Sequence, residues 1–381
     1  MIGQSTLATV VFSSMARGRG CFGAFEKALN RHRIGGSDTT AGGGTRILGC
    51  VILLLTLLAI WWWMQGTARD PLVVYCAHDA IYAEQLLHEF EERSGIDVVI
   101  RFDSEANKAL GLVNLLIRES AHPRCDVFWN NQLQGTLDLQ ERDLLLPYQG
   151  SGFERIPHRF KDPEGYWVGF AGRLRMFIVN TDNVNVPIEE TIDQLPVGDL
   201  SRMAVAKPLY GTTRSHYTVL WHHWGQEKLI QWHRDMRDRG VHEVAGNAMV
   251  KNLVAAGKCD LGWTDTDDYF VAVDEELPVD AFPIRLDDGA TICVPNSVSI
   301  IRGSSRVAEA RRLVDFLLSE ETELALARGK SRQIPLGPVS LDQLPDEVRQ
   351  LKQWADESCD LTSLGDARAA CIEWLKSEYL R

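Results

Sequence analysis

The sequence predicts an α/β protein in which two doubly wound lobes, each with a mixed sheet, follow one transmembrane helix. The first observation is a strand, helix and strand unit at residues 72–102, directly behind a membrane-length apolar segment. The second is a long β-rich run at residues 167–181, of a kind that can cross between lobes. The third is a later pair of β-rich runs, residues 278–284 and 292–301, which we interpret as the return crossing.

The first unit shows how the lobes are built. Residues 72–75 form a short continuous apolar run, as expected of a strand buried on both faces of a parallel sheet. Leu86, Leu87 and Phe90 recur at helical spacing, and Gly95 ends that helix. A crossover of this length requires parallel strands, so the loop at residues 76–80 lies at the carboxyl end of the first strand, where open α/β sheets bind ligands.

The elements that follow alternate in the same way. They are, in order, a helix at 106–120, a strand at 125–131, a helix at 133–142, a strand at 203–206, a helical stretch at 217–240, a strand, helix and strand within 242–261, and a helix at 307–318. This order predicts a first lobe of residues 71–175 with 285–338 and a second lobe of residues 176–284. Residues 339–381 form a C-terminal helical extension.

The amino-terminal region predicts membrane attachment. Residues 1–46 are rich in Gly, Ser, Thr and Arg, which indicates a disordered basic cytoplasmic tail. Residues 47–64 are apolar or small except Thr56 and end in three tryptophans, which predicts a single-pass transmembrane helix in the cell membrane with the main domain in the periplasm. The alternative is a cleaved signal peptide with an unusually long leader.

Composition excludes several classes of function. The formal net charge of -12 argues against nucleic-acid binding. The eight cysteines show no CxxC pairing, which argues against structural zinc, although Cys359 and Cys371 flank a short helical region and could form a disulfide. We find no GxSxG, HExxH or P-loop motif, and the aspartates at 265–268 only weakly resemble those of phosphoryl-transfer hydrolases. We therefore do not expect an enzyme.

Two polar segments are candidate ligand sites. Asp265, Asp267 and Asp268 follow a predicted strand and offer oxygen ligands for a cation, the alternative being a solvated turn. Thr212 and Thr213 stand after a glycine at a predicted helix start, where backbone N–H groups and hydroxyls suit an anion, the alternative being simple helix capping.

Seven stretches resemble a known family, the bacterial extracellular solute-binding proteins of ABC importers, and within it the ferric-iron-binding periplasmic proteins. They cover about residues 72–338 and are VVYCAHD, FEERSGIDV, CDVFWNNQ, GRLRMFIVNT, GNAMVKNLVAAGKCDLGWTD, AEARRLVDFLLSEE and SRQIPLGP. The resemblance implies the two-lobe periplasmic-binding-protein fold of type II. It also implies a monomer that closes by a hinge motion around a ligand and delivers it to a membrane permease.

The resemblance also implies positions for the metal ligands, from which this chain departs. Ferric-binding members hold iron with a histidine after the first strand, a glutamate after the strand equivalent to CDVFW, and two adjacent tyrosines. Here the histidine position falls at or beside His78 and Asp79, and the glutamate position falls on Asn131, which is neutral. The positions equivalent to the tyrosine pair are Thr266 and Asp267, with Tyr269 displaced. We take Asp79, Asp267 and Tyr269 as the candidate metal ligands.

The positions that the resemblance assigns to the anion are better retained. Arg173 and Arg175 match a pair near the cleft of relatives, and guanidinium groups suit phosphate, carbonate or carboxylate. Thr212, Thr213 and Asn247 match the helix-start positions that hold the synergistic anion. We therefore expect a solute-binding component of an ABC importer that carries ferric iron or an iron complex and has no resident cofactor. The alternatives are another solute, such as a phosphonate, thiamine or polyamine, and a ligand-sensing domain without transport.

Overall fold

The computed structural model describes residues 53, 55–56, 70–78, 80–103, 110–184 and 198–380. Residues 70–381 form one compact unit. The predicted basic tail lies outside the described residues, as does the predicted transmembrane segment apart from Leu53, Leu55 and Thr56. Among the described residues, no helix is both long enough and apolar enough to cross a membrane.

The described strands and helices follow the predicted alternation. The strands are β1 Leu72–Cys76, β2 Val98–Phe102, β3 Val127–Asn130, β4 Leu145–Leu146, β5 Val168–Asn180, β6 Met203–Ala206, β7 His242–Val244, β8 Leu261–Asp265, β9 Val279–Pro283 and β10 Cys293–Ile301. The helices are α1 Ala80–Ser94, α2 Leu110–Arg118, α3 Gln134–Glu141, α4 Ser151–Arg155, α5 Gly211–Trp224, α6 Gln226–Asp238, α7 Asn247–Ala255, α8 Thr266–Asp274, α9 Val307–Leu317, α10 Glu320–Arg328, α11 Asp346–Asp356 and α12 Gly365–Tyr379.

The strands run in the order β2-β1-β3-β10-β5-β8-β6-β7, with β4 paired to β10 and β9 paired to β5. Parallel pairing joins β1 to both β2 and β3, as the long crossovers predict. On the other side β6 is parallel to β7 and β8. Antiparallel pairs of β10 with β3 and β5, and of β5 with β8, make both halves mixed sheets. The carboxyl ends of the parallel strands in each half thus form a polar edge.

Strand β5 belongs to both halves. Its first part, up to Leu174, pairs with β10, whereas Arg175 and the residues after it pair with β8 and β9. All thirteen residues of β5 are buried, so the strand crosses through the interior of the molecule. The β-rich run predicted at residues 167–181 is thus one strand that pairs with both halves of the sheet.

A buried carboxylate joins strand β5 to the segment at residues 336–337. Glu323 on α10 is fully buried and accepts hydrogen bonds from the backbone N–H groups of Ala171, Leu336 and Gly337. Arg155 donates to the same carboxylate at 2.5 Å. Ala171 has a positive φ of 44°, which non-glycine residues adopt only when their surroundings hold them.

Two local predictions differ from the structure. The stretch at 217–240 is two helices rather than one, because Gly225 adopts a φ of 79° between α5 and α6. Cys359 and Cys371 are buried free thiols that belong to one apolar cluster and do not form the disulfide considered above. Apolar packing therefore places α12 in that cluster, which it shares with α5, and ion pairs of Arg368 with Asp138 and Glu141 add to the attachment of α12.

Candidate functional site

The centre of the site is an ion pair between two strands that lie far apart in the sequence. Arg175 on β5 and Asp265 at the end of β8 are directly opposed in the sheet register. Arg175 Nη1 donates to Asp265 Oδ1 at 2.5 Å, and the two residues are 0% and 3% exposed. A buried charge requires a partner of this kind, so the two residues hold each other in place.

The starts of two helices complete the coordination of Asp265. Its Oδ2 accepts hydrogen bonds from Thr212 Oγ1 at 2.5 Å and from Asn247 Nδ2 at 2.9 Å. Thr213 Oγ1 donates to Asn247 Oδ1 at 3.0 Å. The cap residue of α5 is Tyr210, which makes no side-chain capping bond. Thr212 therefore bonds to the ion pair and Thr213 to Asn247, and neither threonine is the cap of the helix. Asp265 is predicted from the sequence to be a ligand for a cation. In the structure both of its carboxylate oxygens already accept hydrogen bonds.

Arg175 keeps hydrogen-bonding capacity beyond this pair. Its Nε and Nη2 atoms are buried and have no hydrogen-bond partner in the part of the chain that the structure describes. A guanidinium carries five N–H donors, and leaving buried donors unpaired costs about 1–3 kcal/mol each. An anion that enters beside Arg175 can satisfy them.

Arg173 connects the two halves of the molecule. Its Nη1 donates to Asp267 Oδ2 at 2.8 Å at the start of α8, and its Nη2 donates to the main-chain oxygen of Asn131, directly after β3. Asn131 also has a buried side-chain oxygen, Oδ1, with no partner. Arg173 thus brings Asn131 and Asp267 together. A role of these two positions in metal binding stays a prediction.

Three carboxylates meet at this point. Oxygen atoms of Asp265, Asp267 and Asp268 lie within 4.8 Å of one another, the distance range of a shared cation. Burial is the main cause that raises the pKa of Asp267, while Arg173 opposes the shift. Burial, with repulsion from Asp267 and Asp265, raises the pKa of Asp268 to about 8. At neutral pH, Asp268 therefore holds a proton, and Arg173 and Arg175 pair with the other two aspartates.

The chain matches a known family of proteins. Residues 72–328 match the family described as bacterial extracellular solute-binding protein. The chain belongs to this family. Its described domain is therefore an extracellular solute-binding domain, and the prediction that it is not an enzyme is confirmed by the family.

The relatives agree with this family assignment. The chain is 22% identical over 299 residues to iron uptake protein A1 of Synechocystis sp., covering 75% of this chain and 80% of the relative. It is 22% identical over 281 residues to the major ferric iron-binding protein of Neisseria meningitidis serogroup A, covering 70% and 81%. The crystal structure of iron-bound HitA from Pseudomonas aeruginosa is similar with a TM-score of 0.68 at 19% identity, covering 81% and 99%. The predicted two-lobe fold and the resemblance to ferric-binding proteins are confirmed.

Two of the predicted site residues, His78 and Asp79, follow β1 in the sequence. His78 after β1 lies 3.0 Å from Gln333 through its Nε2 atom and packs on the rings of Tyr82 and Trp129. It is not part of the carboxylate set described above. Sequence reasoning missed Gln333, although the matched stretch SRQIPLGP contains it. Asp79 lies outside the described residues.

Thr266 and Tyr269, the other two predicted site residues on α8, lie in different environments. Thr266 is buried and its Oγ1 has no hydrogen-bond partner, so it can still contact a ligand. The pKa of Tyr269 is raised by burial and by Asp280 on β9. Its ring packs beside Phe270. A role for Tyr269 as a metal ligand stays a prediction.

The raised pKa of Asp268 predicts that the unliganded protein loses stability as the pH rises from about 4 towards about 8. The folded protein keeps this carboxyl protonated in that window while the unfolded chain releases the proton, so the folded state binds more protons. Asp268→Asn removes the effect. Between about pH 5 and about pH 8, we expect the free energy of unfolding of the variant to rise relative to that of the wild type by about 1–2 kcal/mol. The effect is limited to this size because the side chain is only partly buried.

Urea unfolding at the two pH values measures this gain. Asp238→Asn, a change at an exposed carboxylate at the end of α6, is the control and should differ from the wild type by the same amount at both. A difference between Asp268→Asn and the wild type that stays constant with pH would show that Asp268 is ionised throughout.

Proposed function

We propose that this protein is the extracytoplasmic solute-binding component of an ABC importer and that it binds ferric iron as a complex with an anionic chelator in the cleft between the lobes. The observation that carries this proposal is the carboxylate trio with an arginine on each side. Asp267 supplies carboxylate oxygen for the metal, Asp268 supplies a further oxygen once the metal displaces its proton, and Arg175 supplies N–H donors for the anion.

The charge balance favours a complex over a bare ferric ion. Arg173 and Arg175 compensate Asp267 and Asp265, and Asp268 holds a proton at neutral pH. A site with no net negative charge does not compensate three positive charges, since ferric iron requires hard anionic oxygen donors. A chelator such as citrate brings those donors with it, and its remaining carboxylates match the open side of Arg175.

The names of similar proteins support the iron proposal. Two relatives are named for iron uptake and ferric iron binding. A similar structure from Trichodesmium is described as a complex with iron and citrate ligands, with a TM-score of 0.65 at 17% identity, covering 81% of this chain and 99% of that one. Iron and citrate match the two kinds of group in this site, carboxylate oxygens for the metal and guanidinium N–H donors for the anion.

Transport requires that the lobes close and that a permease recognises the closed form. We assign residues 71–175 and 285–338 to the first lobe and 176–284 to the second, with β5 and β10 as the connections between them. Arg173 contacts chain on both sides of that division, so a ligand beside it touches both lobes. We further propose that the protein is a monomer held at the membrane by residues 47–64.

A second candidate is an anionic solute without iron. The unpartnered Nε and Nη2 of Arg175 and the protonated Asp268 suit a phosphonate or phosphate ester. The periplasmic binding protein AfuA from Actinobacillus pleuropneumoniae, described with bound fructose-6-phosphate, is similar with a TM-score of 0.59 at 18% identity, covering 82% of this chain and 99% of AfuA.

Titration of the purified protein with ferric citrate, citrate alone and methylphosphonate separates the two candidates. We expect ferric citrate to raise the melting temperature and iron to remain with the protein at one equivalent after gel filtration, measured by elemental analysis. Citrate alone should bind more weakly. Binding of methylphosphonate without any retention of iron would instead establish the second candidate.

Asp267→Asn should weaken ferric citrate binding by about tenfold, or about 1.4 kcal/mol. The substitution removes a carboxylate from the proposed metal ligands and leaves Arg173 without its counter-ion. Isothermal titration calorimetry measures the change. Asp238→Asn serves as the control because this carboxylate is exposed at the far end of α6, and it should bind like the wild type. Unchanged affinity of Asp267→Asn would remove Asp267 from the site.

A further inference from the structure

A cavity of about 780 Å³ lies in the second half of the molecule, beside the ion pair but apart from it. Phe177 follows Arg175 by two residues on β5, and Trp263 precedes Asp265 by two on β8, so all four side chains share one face of the sheet. Phe177 and Trp263 line the cavity. Its size lies within the range of pockets for small organic ligands, about 300–1,000 Å³.

Helix α5 separates the cavity from the ion pair. Thr212 in its first turn bonds to Asp265, whereas His216, one turn later, packs on Trp263 with ring centroids 4.9 Å apart. Leu220, a further turn along, also lines the cavity. The cavity is therefore a distinct space behind the proposed iron site, because a helical turn that faces the sheet lies between them.

The walls are aromatic and flat. Trp232 and Trp263 are stacked with centroids 5.2 Å apart and an interplanar angle of 8°. Trp224 packs edge-on against Trp232, and Phe177 edge-on against Trp263. Such surfaces favour a flat, apolar molecule that offers its own face or edge to the rings.

Three residues that line the cavity each carry a buried polar atom with no hydrogen-bond partner among the described residues. These atoms are Trp263 Nε1, Trp224 Nε1 and His216 Nδ1. Trp263 and His216 are only 4% and 1% exposed. An indole nitrogen can only donate, so two of the three atoms require an acceptor. Burial lowers the pKa of His216 well below its usual value, and the imidazole is therefore neutral.

The rim of the cavity has no preferred charge. Two acidic and two basic side chains line the cavity, Asp235, Asp287, Arg239 and Arg285. Arg285 pairs with Glu357, and Asp287 pairs with Lys228. The charged side chains of the lining therefore balance in number. A charged ligand gains nothing here that compensates the loss of its hydration, so the walls favour an uncharged one.

We propose that this cavity is a second ligand site, for an uncharged, flat, lipophilic molecule with a carbonyl or similar acceptor oxygen. The rings would hold its apolar body, and Trp263 Nε1 would donate to its oxygen. The site does not depend on what the cleft carries, since none of the three unpartnered atoms belongs to the carboxylate trio or to either arginine.

Prodan, an uncharged naphthalene ketone, is a suitable probe because its emission moves to shorter wavelength in an apolar site. Titrated into the full-length protein, it should bind saturably at one equivalent with such a shift. Leu220→Trp, which fills the cavity, should weaken binding by at least about tenfold, and Trp263→Phe, which keeps a ring but loses the donor, by about threefold. His222→Ala, an exposed change on the same helix, should leave binding unchanged.

Ferric citrate provides the test that the site is separate. Saturation of the protein with ferric citrate should leave bound prodan in place. The proposal is overturned if prodan does not saturate, if neither cavity variant weakens it while both remain folded by melting temperature, or if ferric citrate displaces it competitively. Failure of iron to bind would overturn the proposed function and leave this result standing.

Discussion

Replacing Asp265 by asparagine is expected to lower the free energy of unfolding by about 3–5 kcal/mol, the cost of leaving a buried charge without its partner. Arg175 has no exposed surface, and Asp265 is the acidic partner at 2.5 Å. Thr212 and Asn247, which donate to the same carboxylate, would also lose an anionic acceptor. Urea unfolding followed by tryptophan fluorescence measures the loss.

The matched control is the same substitution in an exposed pair. Asp143 pairs with Arg302 at 2.6 Å with 78% of its side chain exposed, and its φ of 58° is tolerated by asparagine. Asp143→Asn should cost less than about 1 kcal/mol. A second variant, Arg175→Met combined with Asp265→Asn, removes both charges and should recover part of the loss. Equal losses for Asp265→Asn and Asp143→Asn would contradict the assignment of a buried pair.

Glu323→Gln is expected to cost about 2–4 kcal/mol, the second largest effect. The wild-type carboxylate accepts from the backbone of Ala171, Leu336 and Gly337 and from Arg155. Glutamine would present an NH₂ group where the protein presents donors, so at least one donor would lose its acceptor. The main-chain conformation of Ala171, with its positive φ, depends on this acceptor.

Glu321→Gln is the control for this second prediction. Glu321 is on the same helix, with 76% of its side chain exposed, and among the described residues it pairs with the exposed Arg93. It should change the free energy of unfolding by less than about 0.5 kcal/mol. If the two glutamine variants unfold at the same urea concentration, the network around Glu323 contributes little to stability.

The sequence predicts elements whose cause is local. The apolar run of β1, the spacing of Leu86, Leu87 and Phe90, and the long β run of β5 are each visible within one segment. The break at Gly225 is not predicted, because the segments on both sides of this glycine are helical and nearly continuous. A single glycine within a helical pattern is compatible with either outcome.

The candidate site was only partly predictable, for a physical reason. Sequence shows three similar aspartates at 265–268, but their states depend on which strands and helices come to face them. Asp265 pairs with a residue 90 positions away because β5 and β8 are adjacent in the sheet, and that register is not a local property. Asp268 accepts a hydrogen bond from the hydroxyl of Thr264 and, with its raised pKa, keeps its proton at neutral pH. Three residues of one type thus have three different roles.

The crossing strand has a mechanical consequence. Arg173 pairs on the β10 side of β5, and Arg175 is the first residue to pair with β8, so the two guanidinium groups flank the point where the strand changes partner. A twist of the main chain at this point would alter the separation of two positive charges. If a ligand contacts both guanidinium groups, as proposed above, its length would set their separation, and β5 would couple the size of the ligand to the angle between the two halves of the sheet.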